Sequence, residues 1–345
     1  MEIGLYTFGD LTPDPITGQR PSGAKRIGEI IAAAKLADEA GLDVFGIGEH
    51  HRLDFAVSTP AVVLSAIAAQ TKRIRLTSAV TVLATSDPVR VFEDFSTLDL
   101  VSKGRAEIMA GRGAFVESFP LFGYDINSYD DLFLENYALL RELGASERIA
   151  NWRGNFRSDI HNADIAPRPY QDEIPVWIAV GGTPESAARA GALGAPMTLA
   201  ALGGPIASRK GMVDLYRNSA PQGAPGLRVA LAAHTHVGET SQSAREVFYP
   251  HYVNYWHQSS GGRVPRISRD QFDHATGSGS VLMVGSVDEI TDRLLFAHEV
   301  LGIDRFLAQM DVGHLPFGEV AAVIERLATR VAPAVRKTTQ VAAVG

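Results

Sequence analysis

The 345 residues contain no cysteine. That absence removes disulfides, a thiolate nucleophile and every cysteine-based metal site at once. Basic runs are missing too: no more than two Lys or Arg stand together, and the formal net charge is −7. A nucleic-acid surface is therefore not expected. No apolar run approaches the ~18 residues of a membrane span, and Met1-Glu2-Ile3-Gly4 does not begin a basic-then-apolar leader. The expectation from these absences is a cytoplasmic protein with no membrane partner. Gly-x-Gly-x-x-Gly does not follow the first apolar run either, which weighs against a dinucleotide-binding open sheet.

What the chain does have is alternation. Short apolar or β-branched runs at 3–8, 44–47, 74–83, 105–110, 175–180, 196–202, 227–237 and 305–310 read as eight strands. Helical periods fall between them at 26–40, 60–71, 88–99, 130–143, 187–193, 205–217, 239–257 and 287–301, and a closing helix spans 320–336. Thr59-Pro60 and Asp87-Pro88 each place a cap residue before a first-turn proline, a helix start. Residues 154–173 read as a long excursion over the surface, and 259–279, rich in Gly, Ser, Arg and Pro, as a mobile insertion after strand seven. Eight strand–helix repeats predict a (β/α)8 TIM barrel forming one domain over 1–345, with a doubly wound open sheet as the alternative.

In a barrel the C-terminal strand ends converge, and chemistry belongs there. Glu49, His50 and His51 close the second strand, and imidazole titrates near neutrality, so this pair suits proton transfer, anion binding or metal ligation. Ser78 and Ala79 close the third strand and are small enough to admit a flat ligand to the backbone. Gly111-Arg112-Gly113 closes the fourth, and Gly181-Gly182-Thr183-Pro184-Glu185-Ser186 leads from the fifth into a helix. A Gly-Gly turn at a helix N-terminus favours an anion, and Arg112 with the hydroxyl of Thr183 or Ser186 would complete a phosphate site. By itself such a turn merely starts a helix. His234 and His236 share a strand face and suit either a metal or a packed core. His314 follows strand eight, and could reach the mouth or remain a loop residue. Tyr249, Tyr252, Tyr255 and Trp256 form an aromatic helix face of the kind used in a core or subunit contact.

These clusters occur in a fixed order together with Asp87-Pro88-Val89-Arg90, Leu98-Asp99-Leu100-Val101-Ser102-Lys103-Gly104-Arg105 and Phe122-Gly123. In them the chain resembles the bacterial luciferase-like flavin monooxygenases, over roughly residues 1–331. The resemblance implies a (β/α)8 barrel using reduced FMN delivered by a separate NAD(P)H:flavin reductase. It implies that O2 forms a flavin 4a-hydroperoxide, which oxygenates a small organic substrate. His50 would be the catalytic histidine. Ser78 and Ala79 would lie against the isoalloxazine ring, where the family often has a non-proline cis peptide. Arg112, Gly113, Gly181, Gly182, Thr183 and Ser186 would bind the cofactor, and Glu49, His51, Phe115 and His314 would line the substrate pocket. The segment 259–279 would be a mobile active-site loop, and the protein a homodimer joined through the helices after strands two and three. Gly111 replaces the reactive cysteine of luciferase, and Phe115 and Ser118 replace its tyrosine and aspartate, so its aldehyde pocket is not copied. Three rival readings are a deazaflavin-dependent dehydrogenase on the same barrel, a metal-dependent hydrolase using His50, His51, His234 and His236, and a non-catalytic flavin-binding protein.

Overall fold

A computed structural model describes residues 1–113, 115–222 and 227–342. Its centre is a closed ring of eight parallel strands: β1 (Glu2–Thr7), β2 (Val44–Ile47), β3 (Arg75–Ser78), β4 (Ala106–Gly111), β5 (Val176–Val180), β6 (Met197–Ala200), β7 (Val229–Gly238) and β8 (Arg305–Gln309). The ring closes where β8 pairs with β1, Arg305 standing opposite Glu2 in register. The predicted TIM barrel is the fold.

Around the ring run α1 (Gly23–Ala40), α2 (Pro60–Ala68), α3 (Pro88–Ser102), α4 (Tyr129–Ala145), α5 (Pro184–Ala192), α6 (Lys210–Asn218), α7 (Ser241–Ser259) and α8 (Val287–Leu301). Their limits follow local chemistry. Ser22 accepts from the Lys25 amide to start α1, and Gly41 ends it with φ +85°. Asp87 accepts from the amides of Val89 and Arg90 just ahead of Pro88, as a cap should. The main apolar core lies between strands and helices, with Ile3, Phe45, Leu64, Phe95, Leu140 and Phe306 in it. A smaller cluster fills the barrel itself, including Tyr6, Val44, Met109, Trp177, Ala230 and Leu307.

At the bottom of that interior the filling is ionic. Arg305 reaches Glu2 at 2.7 Å and Glu107 at 2.6 Å, Arg75 meets Glu107 at 2.5 Å, and the Arg305 guanidinium lies 4.4 Å over the Trp177 ring. Burial alone would raise the Glu107 carboxyl, but Arg305 and Arg75 hold it below the usual carboxylate range.

The excursion at 154–173 is partly a hairpin: Arg148–Trp152 pairs antiparallel with Ile160–Asp164. Polar side chains on both strands hid its alternation. The segment 259–279 is not featureless either, because it holds the helix Arg269–Ala275, started by a reciprocal cap between Ser268 and Gln271. Phe272 on that helix is buried in an aromatic cluster with Tyr252 and Phe248, which anchors it. β7 is ten residues long, and its upper half pairs with a further parallel strand, Met283–Ser286. That extension carries α7 back toward the rim, so that His251 meets the Gly313 carbonyl and Asn254 the Pro13 carbonyl. The closing helix is two pieces, Phe317–Arg326 and Ala332–Ala342, joined by a π-helical turn. Among the described residues no helix is long and apolar enough to cross a membrane.

Candidate active site

His50 sits just past the end of β2, its amide donating to the Val57 carbonyl. Its ring stacks on Phe55 at 4.2 Å and meets the edges of Phe8 at 4.7 Å and Phe115 at 5.4 Å. This apolar box leaves the residue 7% exposed, with Nε2 buried and unpartnered among the described residues. Burial pushes its pKa down to about 3, against the pull of Asp54. At neutral pH His50 is therefore an uncharged imidazole holding a free nitrogen in a dry pocket, a form able to take or share a proton.

The neighbouring residues have different duties. His51 Nε2 lies 2.8 Å from Glu49 Oε1, and Glu49 Oε2 accepts from the Val82 amide at 3.0 Å. Glu49 thereby ties the end of β2 to the backbone beyond β3. That backbone carries the cis peptide, at Ala79–Val80 and not at Ser78–Ala79. Ser78, the last residue of β3, still pairs with Ile47, and the Ala79 amide donates to the Ile47 carbonyl at 2.7 Å before the chain bends at Ala79. The Ser78 hydroxyl is engaged by the Met109 backbone and is fully buried, which leaves Ala79 nearer the open face.

Glycines here let the protein's own atoms pack closely. A Cβ on Gly46 would come within 3.0 Å of Ala79, one on Gly48 within 2.6 Å of the Phe8 ring, and one on Gly111 within 2.8 Å of Val80. Around Gly181 and Gly182, by contrast, a Cβ would meet nothing within 4 Å, so the turn before α5 faces open space.

The residues expected to hold a phosphate come together from β4, β5 and two helices. Arg112 donates to the Ser186 hydroxyl at 2.7 Å, and Ser186 shares a hydrogen bond with Thr183, also 2.7 Å. The Arg112 guanidinium lies 4.5 Å over the Tyr129 ring, and the Tyr129 hydroxyl donates to the Gly113 carbonyl. Gly113 thus serves the turn, with φ +89°, through its carbonyl. Two participants were missing from the sequence reading: Arg189, one turn along α5, and Asp130, in the first turn of α4. Asp130 pairs with Arg112 and, at 2.9 Å, with Arg189. Burial acts to raise the Asp130 carboxyl, but the two guanidinium groups hold it below its ordinary range. A phosphate fits this donor set of two guanidinium groups, two hydroxyls and a free Gly-Gly turn at a helix start.

Phe115 lies against His50 and Phe55, while His314 stands elsewhere. It lines a separate cavity with Asp14, Gln19, Lys25 and Glu29, beside the loop after β1. Gly313, with φ +69°, turns the chain there, and the His251 bond to its carbonyl holds it away from His50. His234 and His236 are buried in separate aromatic shells, the first against Tyr252, Tyr255 and Trp256, the second against Phe248. Among the described residues no group of three His, Asp or Glu side chains could hold a metal ion.

The sequence model of the luciferase-like monooxygenases matches residues 1–337. The chain belongs to that family, and membership gives the class of activity, an enzyme of the monooxygenase type. A curated relative, the flavin-dependent trigonelline monooxygenase, oxygenase component, of Acinetobacter baylyi, is 24% identical over 335 residues, covering 89% of each chain. Among solved structures, monooxygenase RslO1 from Streptomyces bottropensis aligns with a TM-score of 0.84 at 23% identity, over 96% of this chain and 99% of that one. The oxygenating constituent of 3,6-diketocamphane monooxygenase from Pseudomonas putida, in complex with FMN, aligns at 0.78 and 19% identity, over 97% and 98%. Both structural likenesses speak to the fold.

Proposed function

We propose that this protein is the oxygenase of a two-component system, taking reduced FMN from a separate NAD(P)H:flavin reductase and using O2 to oxygenate a small organic substrate. The observation that carries the reading is the pairing of a phosphate-shaped donor set with a dry histidine pocket. Arg112, Ser186, Thr183, Arg189 and the Gly181-Gly182 turn would hold the phosphate. The ring system would lie against the backbone at Ala79, the less buried of the Ser78 and Ala79 pair. Reduced flavin supplies the electrons that activate O2. The chain's own residues bind, shield and move a proton: Phe8, Phe55 and Phe115 exclude water, and His50 Nε2 is the free proton-handling atom. Glu49 positions the neighbouring backbone and His51.

The same reading assigns 260–267 as the part of the 259–279 segment that opens over the mouth, since the helix after it is anchored by Phe272. It places the enzyme in the cytoplasm as a homodimer that covers Val62, Leu100 and Val101, which stand in solvent on α2 and α3. The mass of the protein in solution decides the dimer.

The test of cofactor is an anaerobic equilibrium titration with reduced FMN, oxidised FMN and a deazaflavin in parallel. Preference for reduced FMN is the expected result. Preference for the deazaflavin would move the assignment to a hydride-transferring dehydrogenase. Binding of none of them would make the Arg112 cluster a structural ion network and sink the proposal.

A further inference from the structure

Two of the three phenylalanine rings around His50 hang on one strap of backbone. Phe8 follows directly on β1, between Thr7 and Gly9. The Thr7 hydroxyl accepts from the Gly9 amide at 2.9 Å, which closes a tight turn about Phe8. Gly9 takes φ +65° there, and its carbonyl accepts from the Ala56 amide at 2.8 Å. The Leu11 amide donates to the Asp54 carbonyl, also at 2.8 Å, so Asp10 and Phe55 form an antiparallel bridge. Phe55 is thus tied to the turn that carries Phe8, and its ring lies 4.2 Å from the imidazole.

Three buried side chains fix this strap. Asp311, two residues beyond the end of β8, accepts from the Thr7 hydroxyl at 2.5 Å. The same carboxylate oxygen accepts from Arg26, in the first turn of α1, at 2.5 Å. Glu29, one turn further along α1, stands 3.6 Å from the other arm of the guanidinium. A hydroxyl has a single proton to give. Because Asp311 takes it, the lone pairs of Thr7 Oγ1 are left to the Gly9 amide. The carboxylate sets the direction of that bond, and Arg26 holds the carboxylate.

A buried ion pair is a costly way to hold a fold together. Arginine is rarely buried, and apolar side chains of similar volume often serve a core as well or better. What charge-assisted hydrogen bonds add is direction. Here that direction ends on the backbone that bears Phe8 and Phe55.

We propose that Arg26, Asp311 and Thr7 are positioning residues: they hold the strap that sets Phe8 and Phe55 against His50 and keeps its imidazole out of water. Their value to the reaction rests on the functional reading above, but their hold on the rings does not.

The test is the rate at which diethyl pyrocarbonate acylates the His50 ring at pH 7, in the full chain without flavin. The reagent attacks an uncharged imidazole nitrogen that it can reach, and tandem mass spectrometry separates His50 from His51. Thr7→Val keeps the shape of the side chain but removes the hydroxyl, leaving the Gly9 amide without its acceptor. His50 should then react about fivefold faster or more, the gain in open population that one lost hydrogen bond gives. Thr7→Ser keeps the hydroxyl and should react as the parent does. His236, which packs on Phe248 and not on the strap, is the internal reference and should keep its rate throughout. Should Thr7→Val fail to fold, Asp311→Asn removes the charge instead and should speed His50 in the same way. An unchanged His50 rate in the folded variant would overturn the proposal. So would an equal rise at His236, the mark of general loosening, or a Thr7→Ser as reactive as Thr7→Val. Because no flavin is present, a negative result here leaves the cofactor reading standing, and a failed flavin titration leaves the strap in place.

Discussion

His50 owes its character to three phenylalanines from three different segments. A histidine in water would be half charged near pH 6.5, but this one is neutral because its box is dry. Replacing it with Gln keeps a hydrogen-bonding side chain of similar reach while removing the proton-handling nitrogen. The expected outcome is reduced FMN binding within twofold of the parent and oxygenation coupled to flavin consumption lowered by about 100-fold. Parent-like product yield in His50→Gln would remove His50 from the chemistry. The sequence marked His50 as a candidate, because an acid-His-His run closes a strand where the barrel mouth collects side chains. Phe8 was not legible as one of its walls: it sits on β1's extension, and only the pairing of β1 with β2 brings it to His50.

At the scale of elements, α4 and α5 decide how the proposed anion site is charged. The first turn of α4 delivers Asp130 between Arg112 and Arg189, and its carboxylate is half exposed. An arriving phosphate must share these cations with a negative neighbour, in a setting where solvent weakens but does not cancel the repulsion. Asp130→Asn should therefore tighten reduced FMN binding several-fold at low salt, with a smaller gain at high salt. Riboflavin, which lacks the phosphate, should bind both proteins alike; an equal change for riboflavin would show that Asp130 acts on something other than the phosphate. The eight strands and the helices that follow them were legible from apolar periodicity. The hairpin, the strand Met283–Ser286 and the folded helix within 259–279 were not. Each is short and polar on its outer side, and each is held by contacts distant in sequence, such as Phe272 against Tyr252 at 5.5 Å.

Across the whole molecule, buried histidines couple folding to pH. His50, His234 and His236 have pKa values pushed down to about 3, 4 and 4 by burial. In the unfolded chain they would titrate near 6.5, so between about pH 4 and 6.5 the unfolded state binds more protons than the folded one. Stability must then rise with pH through that window, and be lost as pH falls, by up to about 1.4 kcal/mol per pH unit for each histidine. Glu107 adds a loss only lower down, below its unfolded value and through its depressed folded one. Urea unfolding at pH 7 and pH 5 should show the drop, and His236→Phe, whose new ring would stay against Phe248, should make it shallower. A pH-independent midpoint in the parent protein would contradict the burial of these rings.

Arg52 links these scales. Its guanidinium clasps Asp54, donates to the Ser259 carbonyl at 3.0 Å and lies 4.4 Å over the Phe115 ring. Ser259 is the last residue of α7, at the start of the 259–279 segment, and Phe115 is a wall of the His50 box. On the proposed reading, an outward swing of that segment would pull on the same side chain that pins the wall. Gate and chamber would then share a latch, and letting a molecule in would also loosen the seal that keeps His50 dry.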